Sequence, residues 1–240
     1  MVLCLMAAGA FAQDSVIVLG RTYFNFAYLL PEQDLRERYD RADGTPFGFN
    51  TVGLLFNPRM RKGVSPVLLG VETSWSRMGV QNHPAVAGLE ETVTKTRYNG
   101  INLVVRLEPR KFKGALQPFV DIMAGSGIYT TTTKLKYETL DYLFNFLSDE
   151  EPLSRESIDK TWDASFQRGL GIGVRSQGTK GKGLYGWNIR VVWVQGQNVD
   201  VCRASQAVLT SATDITYPTR RVRSGFLSLQ FGLSLLSTKP

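Results

Sequence analysis

The chain has 240 residues, of which 20% are charged, and its formal net charge at pH 7 is +7. No run approaches the ~18 consecutive apolar residues that a membrane-spanning helix needs, so the composition excludes a helical membrane protein. The length suits one β-barrel domain. The mean hydropathy of −0.11 fits barrel strands, which expose an apolar side chain to lipid only at every second position.

Residues 1–12 are typical of a secretory signal peptide. They are apolar and uncharged, and the Ala-Phe-Ala segment at 10–12 supplies the small-x-small cleavage pattern. The basic residues that usually precede such a run are missing, so the expectation includes a truncated or misassigned start. We predict a barrel domain at 13–240. Cleavage would remove Cys4 and leave Cys202 alone, which excludes a disulfide framework and a cysteine-based metal site in the mature chain.

Eight segments of the chain alternate apolar and polar residues, which is the pattern of strands with two different faces. In chain order, we predict strands at 16–28, 47–57, 66–79, 96–108, 118–136, 164–177, 184–199 and 221–237. The links between them are short at 59–63, 110–117 and 178–183, and long at 31–46, 80–95, 137–163 and 201–219. A transmembrane barrel sorts its loops this way because one rim faces the periplasm and the other faces outward. An even strand count places both termini, and therefore the short turns, on the periplasmic side.

The last predicted strand shows the two faces most clearly. One face carries Leu227, Leu229, Phe231, Leu233 and Leu235, and the other carries Ser224, Ser228, Gln230, Gly232 and Ser234. In a water-soluble barrel the apolar set would face inward. Here the small and polar set suits the crowded interior, and the apolar set suits lipid.

Aromatic residues on the strand at 184–199 support the same orientation. Tyr185, Trp187 and Trp193 are predicted to share its outward face. Trp187 and Trp193 are six residues apart, which is roughly 20 Å along a strand. That spacing predicts two interfacial aromatic girdles that flank an apolar band about 25 Å tall.

The same alternation places seven charged residues inside the barrel. They are Arg21, Glu72, Arg106, Glu108, Asp121, Arg175 and Arg190. Four cations that face three anions can pair across the lumen, and any unpaired charge would be costly in a narrow interior. Eight strands enclose a space that side chains roughly fill. We therefore expect a plugged, salt-bridged lumen without a constitutive pore, with a narrow gated channel as the alternative.

The positive charge concentrates in the three short turns. These turns contain Arg59, Arg61, Lys62, Arg110, Lys111, Lys113, Lys180 and Lys182. A ring of this kind differs from a basic groove lined with stacking aromatic residues, so we expect no nucleic-acid partner. The distribution predicts a solvated rim near lipid phosphates, with a periplasmic partner as the alternative.

The long link at 137–163 leans acidic, but it has no ordered spacing of carboxylates for a cation. Four of its apolar residues follow i, i+3, i+4, i+7 spacing, which predicts a short amphipathic helix in an outer loop. They are Leu140, Leu143, Phe144 and Leu147. We expect this link to be the only one long enough to contain additional secondary structure.

The sequence contains no motif that assembles a catalytic, cofactor or metal site, so we expect none of these. One enzymatic alternative remains, because small barrels that modify lipid A use a histidine with a serine or a carboxylate near the outer rim. His83, the only histidine, could act with Ser74 or Ser76 and with Glu90 or Glu91. Proximity in sequence does not establish contact between a base and a nucleophile.

The cleavage site, the strand alternation, the basic turns and the closing segment at 225–235 resemble the small outer-membrane β-barrel proteins of Gram-negative bacteria, of the OmpA/OmpX-like or porin-family type. The resemblance covers the chain from 13 onward and rests on no family-specific motif. It departs from many such proteins at the end, where Phe231 is the last aromatic residue and the chain finishes Ser-Thr-Lys-Pro.

This resemblance implies an all-β, eight-stranded, antiparallel, up-and-down transmembrane β-barrel with short periplasmic turns and long outer loops. It implies a monomer in the outer membrane, in contact with outer-membrane lipid and lipopolysaccharide. Envelope integrity, adhesion and surface interaction are the implied roles. A soluble lipocalin-like barrel that binds an apolar ligand is the remaining alternative, and it requires the leucine face of the last strand to point inward.

Overall fold

The computed structural model describes residues 17–38, 47–58, 66–84, 91–109, 116–135, 157–176, 184–209 and 215–239. Several predicted features lie outside these residues. They are the signal peptide, the eight basic residues of the short turns, and the amphipathic segment with Leu140, Leu143, Phe144 and Leu147.

The described part of the chain consists mainly of long antiparallel strands. In chain order they are β1 (Ile17–Pro31), β2 (Phe47–Phe56), β3 (Val67–His83), β4 (Thr92–Leu107), β5 (Leu116–Leu135), β6 (Ser157–Ser176), β7 (Leu184–Cys202), β8 (Val208–Leu209), β9 (Ile215–Thr216) and β10 (Thr219–Lys239). All except the short β8 and β9 form one closed barrel in the order β1-β10-β7-β6-β5-β4-β3-β2. The prediction of an all-β, eight-stranded, antiparallel, up-and-down barrel is therefore confirmed.

Several strands extend further toward the long-loop end than predicted. The ladder between β3 and β4 continues to the pair His83 and Thr92, so residues 80–83 and 92–95 of the predicted loop at 80–95 are strand. β6 likewise begins at Ser157 rather than at 164. Both faces of these strand ends carry polar residues and threonines, so they lack the apolar and polar contrast on which the prediction depended. Threonine nevertheless favours strands because its side chain is β-branched.

Two of the long loops contain short elements of their own. A four-residue helix, α1 (Gln33–Arg36), follows β1, and a 3₁₀ turn (Ala204–Gln206) follows β7. The expectation that only the link at 137–163 could contain additional structure is therefore wrong. Leu35 and Ala204 are buried, so packing of these side chains stabilises elements that are too short to persist alone. Among the described residues, no helix is long and apolar enough to cross a membrane.

Side chains on the barrel strands alternate between an exposed outer face and a buried inner face. On β10, Leu229 and Phe231 are 50% and 55% exposed, whereas Ser228 and Gln230 are 0% and 4% exposed. β4 repeats this arrangement, with Ile101 exposed. The barrel therefore has an apolar outer surface and an interior that contains many polar side chains.

Candidate functional site

The structure places the seven charged residues of the predicted lumen network inside the barrel. Arg21, Glu72, Arg106, Glu108, Asp121, Arg175 and Arg190 are each at most 5% exposed. They are contributed by six of the eight barrel strands or the residue that follows one of them. Their ion pairs form two groups in the half of the barrel where β1 begins and β10 ends, which we call the terminal end.

The larger group, which we call the central cluster, consists of Arg106, Asp121, Arg190 and Glu72. Arg106 donates from Nε and Nη2 to the two carboxylate oxygens of Asp121, at 2.7 and 2.8 Å. Arg190 donates from Nη1 to Asp121 Oδ2 at 2.8 Å and from Nη2 to Glu72. The cluster therefore balances two cations with two anions. The bidentate ion pair between Arg106 and Asp121 also fixes the relative orientation of the two side chains.

Tyr23 lies between the two guanidinium groups of the central cluster. Its ring centroid is 4.9 Å from Arg106 Cζ and 5.0 Å from Arg190 Cζ, and its hydroxyl donates to Glu72. Phe119 contacts Arg106 from another side, at 3.9 Å from its ring centroid. Both rings face inward and hold the cations by cation–π attraction. The sequence analysis did not single out either ring, although Tyr23 occupies the same strand face as Arg21.

The smaller group consists of Glu108 and the two arginines that bind it. Arg21 Nη2 lies 3.1 Å from Glu108 Oε2, and Arg175 donates to both carboxylate oxygens at 3.2 and 3.0 Å. This group has one more cation than anions. Each of its three side chains is buried, so removal of Glu108 would leave two arginines side by side in the interior.

The interior changes from charged to polar and aromatic toward the long-loop end. Gln167 donates to Asn102 Oδ1 at 2.9 Å and accepts from the Tyr98 hydroxyl at 3.0 Å. The Tyr98 ring packs against Tyr129 and Phe226, with centroids 5.2 and 5.4 Å apart. A cavity of about 20 Å³ remains beside Tyr98, which is enough for about one water molecule.

The segment after β7 folds across the long-loop end of the barrel. The carbonyl oxygen of Cys202 accepts hydrogen bonds from the hydroxyls of Thr96 and Thr131, at 3.0 and 3.3 Å. The 3₁₀ turn that follows contacts β3 and β4, which lie four and three places from β7 around the ring. The Tyr217 hydroxyl also donates to Asp159 O at 3.0 Å. We refer to residues 202–209 and Tyr217 as the mouth segment.

The structure does not bring His83 together with the serines of the enzymatic alternative. His83 Nε2 lies 3.1 Å from the Thr94 hydroxyl, and burial lowers the pKa of this imidazole below 6.5. Ser76 and Ser74 precede it on the same strand by seven and nine residues, which is roughly 23 and 30 Å. Glu90 lies outside the described residues, and Glu91 is exposed. Within the described ranges, no group of three or more metal-ligating side chains could hold a metal ion.

The predicted aromatic girdle is described in part. Trp193 is 44% exposed on the outer face of β7, and Trp187 is partly exposed on the same face. The side chain of Tyr185 lies outside the part of the chain that the structure describes. The two tryptophans therefore flank the outward residues Ile189 and Val191.

The backbone ladder between β6 and β7 stops before the long-loop end, a feature that the sequence analysis missed; beyond it, the Asp200 N–H on β7 donates to the Asp163 carboxylate on β6 at 2.7 Å. Their ladder covers only Gln167–Arg175 paired with Asn188–Gly196, although β6 extends to Ser157 and β7 to Cys202. An open cleft of about 650 Å³ lies there. We call it the β6–β7 cleft; it is lined by Phe166, Arg168, Gln195, Gly196, Gln197, Asn198, Arg221 and Arg223. In this region β6 still pairs with β5, and β7 still pairs with β10. The alternation of apolar and polar residues therefore does not reveal where the β6–β7 ladder ends.

Comparisons with known proteins do not assign a family to the chain. No protein-family model matches it, and a search of curated proteins finds no match. The resemblance to OmpA/OmpX-like proteins therefore stays a prediction. The arrangement of apolar and charged side chains carries the functional interpretation.

Proposed function

We propose that the chain is an integral outer-membrane β-barrel protein with a structural or surface-interaction role and a plugged, charge-paired lumen. One observation carries the proposal: the apolar residues cover the outside of the barrel, and the charged residues occupy its interior. Phe26, Phe56, Leu103, Ile172 and Phe231 are 55–66% exposed. They belong to five different strands, so the apolar surface surrounds the barrel. Soluble monomers rarely expose continuous apolar surface on this scale.

The acyl chains of a lipid bilayer are the environment in which such an apolar outer surface is stable. Each Å² of apolar surface removed from water contributes about 25 cal/mol, and the outward side chains are available for contact with acyl chains. Trp187 and Trp193 lie roughly 20 Å apart along β7, as expected for residues near the two edges of an apolar band. The soluble lipocalin-like alternative required the leucine face of β10 to point inward, and Leu229 is 50% exposed on the outside.

The closed lumen is supported by contacts between strands that are not neighbours. Arg190 on β7 binds Glu72 on β3, and Arg175 on β6 binds Glu108 after β4. Thr96 on β4 and Thr131 on β5 also donate hydrogen bonds to the carbonyl oxygen of Cys202 in the mouth segment. In planar bilayers we expect no steady single-channel conductance from the wild-type protein. A conductance that changes in Arg106→Ala or Glu72→Gln would instead support the narrow gated channel.

The proposed role lies at the membrane surface, and outer-membrane lipid and lipopolysaccharide are its proposed partners. The proposed unit is a monomer, since each barrel strand pairs with two strands of the same chain and leaves no barrel edge for strand pairing with another copy. The lipid A-modifying alternative has weaker support, since His83 binds Thr94 and is far along the strand from Ser74 and Ser76. The long loops would supply the contacts with other surface molecules.

Cell fractionation combined with gel mobility tests this proposal. The full-length protein is expressed in a Gram-negative host, and the membrane fractions are run on SDS gels with and without boiling. We expect outer-membrane recovery and a faster-migrating band in the unboiled sample, because the closed barrel resists the detergent. Recovery as a soluble periplasmic protein with unchanged mobility would contradict the proposal.

A further inference from the structure

Arginines occupy the edge of the apolar surface on four barrel strands. Along the outward face from the terminal end, and among the side chains that the structure describes, the first charged residue is Arg77 on β3, Arg97 on β4, Arg168 on β6 and Arg223 on β10. Each follows exposed apolar residues, as Arg168 follows Ile172 and Leu170. These positions correspond to the level of lipid headgroups if the apolar surface lies in a bilayer. The β6–β7 cleft opens at this level.

The cleft concentrates this positive charge. Arg168 and Arg223 line it with exposed side chains, and no carboxylate of the described residues lies within ion-pair distance of either. Arg168 Nη2 donates to Gln195 Oε1 at 3.2 Å, and these two residues lie opposite each other near the end of the β6–β7 ladder. Arg221 also lines the cleft, although it lies opposite Asp200 in the ladder. The cleft is therefore cationic and accessible.

We propose that the β6–β7 cleft binds the phosphate-bearing sugar of a phosphorylated glycolipid in the outer leaflet, with Arg168 and Arg223 as the phosphate ligands. This inference rests on the proposed function, because it assumes that the apolar surface lies in the outer membrane. A guanidinium group matches a phosphate with two parallel hydrogen bonds. Arg168 on β6 and Arg223 on β10 lie on either side of β7, and a phosphate bound between them would offset their mutual repulsion.

The other cleft residues favour a glycolipid over a lipid with a small headgroup. Gln195, Gln197 and Asn198 supply amide donors and acceptors that suit sugar hydroxyls. The cleft volume of about 650 Å³ exceeds what a single phosphate would fill and is within the range of small-ligand sites. Leu170 and Trp193 are exposed on the membrane side of the cleft, where they can contact acyl chains.

The test is native mass spectrometry of the full chain, purified in detergent and titrated with bisphosphorylated lipid A. We expect Arg168→Gln combined with Arg223→Gln to weaken binding at least about tenfold, because several charge-assisted hydrogen bonds are lost. A dephosphorylated lipid A analogue should bind weakly to wild type and variant alike. The heat-modifiable band on unboiled gels shows whether each variant has folded.

Arg77→Gln combined with Arg97→Gln is the matched control. It removes the same charge at the same edge of the apolar surface, but away from the cleft, and should change lipid A binding less than twofold. Equal loss in both double variants would show general attraction to anionic lipid and overturn the inference, as would wild-type affinity in the cleft variant. If the cleft double variant does not fold, Arg223→Gln alone should still weaken binding at least threefold, and wild-type affinity in it would overturn the inference.

The two proposals fail in different ways. A wild-type protein that fractionates as soluble overturns the proposed function. A wild-type protein that is embedded in the membrane, but whose affinity for lipid A does not depend on Arg168 and Arg223, overturns only the assignment of the cleft.

Discussion

Arg106 and Asp121 lie directly opposite each other on β4 and β5 and form a two-pronged ion pair inside the barrel. Asp121 also accepts a hydrogen bond from Arg190 at 2.8 Å, so one carboxylate holds two guanidinium groups. A buried ion pair contributes little net stability by itself, but the loss of one partner leaves an uncompensated charge. Asp121 is therefore the residue on which the central cluster depends most.

Substitution of Asp121 by Asn should destabilise the barrel strongly. Arg106 and Arg190 would face each other without the shared anion, at a cost of about 3–5 kcal/mol. The free energy of unfolding in urea, measured by tryptophan fluorescence in lipid vesicles, checks this expectation. Asp34→Asn, at an exposed position on α1, is the matched control and should change it by less than ~0.5 kcal/mol. A loss below ~1 kcal/mol for Asp121→Asn would contradict the role of this carboxylate.

Gly53 leaves space for the ring of Tyr23, because a Cβ at position 53 would overlap that ring. We expect Gly53→Ala to cost about 1–3 kcal/mol in unfolding free energy, since the ring between two arginines has little room to shift. Gly171→Ala is the comparison, because the nearest atom to its added Cβ is 3.2 Å away. Equal losses in the two variants, measured by urea unfolding, would show that the position of the Tyr23 ring is not tightly constrained.

Cys202 reports on the mouth segment, because its side chain is buried and its carbonyl oxygen binds Thr96 and Thr131. Thr96→Val combined with Thr131→Val should speed maleimide labelling of Cys202 about tenfold, since two hydrogen bonds of roughly 0.5–1.5 kcal/mol each are lost. The label is quantified by peptide mass spectrometry. Thr94→Val is the control because its hydroxyl bonds to Thr133 and His83 instead. Unchanged labelling in the double variant would show that these bonds do not hold the segment closed.

The burial of His83, the only histidine of the chain, can be tested by its titration with pH. Burial lowers the pKa of His83 below 6.5, so the unfolded chain binds a proton at higher pH than the folded chain does. The contribution of His83 to folding is therefore fully present above pH ~6.5 and is lost as the pH falls through the folded pKa. An NMR titration of the histidine signals should give a midpoint below 6.5. A midpoint at or above 6.5 would contradict the burial of this ring.

The fold could be predicted because alternation along a strand determines which face a side chain occupies. The leucines of β10 and the charged residues of the interior both follow from this rule. Pairing inside the barrel could not be predicted, because Arg190 and Glu72 are 118 residues apart in sequence and belong to strands that are not neighbours. The strand ends rich in threonine could not be predicted, because their two faces do not differ in polarity. The early end of the β6–β7 ladder could not be predicted either, because it depends on backbone pairing and not on composition.

Two irregular positions show how local geometry limits such a prediction. The register shifts between Arg77 and Gly79 on β3 and between Arg223 and Gly225 on β10. An extra residue at a bulge changes which side chains face outward beyond it. On β3 the exposed positions change from odd numbers, up to Arg77, to even numbers such as Asn82, so alternation carried past this point would reverse the two faces.

The most direct test of the lipid-facing surface is spin labelling of β10 in phospholipid vesicles. Leu229→Cys and Leu233→Cys are labelled in a background with Cys4→Ser and Cys202→Ser, and Trp162→Cys on the outer part of β6 serves as the water-side control. We predict that labels at 229 and 233 are accessible to oxygen and protected from a water-soluble nickel reagent, whereas the label at 162 is accessible to nickel. Nickel accessibility at 229 and 233 equal to that at 162 would contradict a barrel whose apolar surface lies in the membrane.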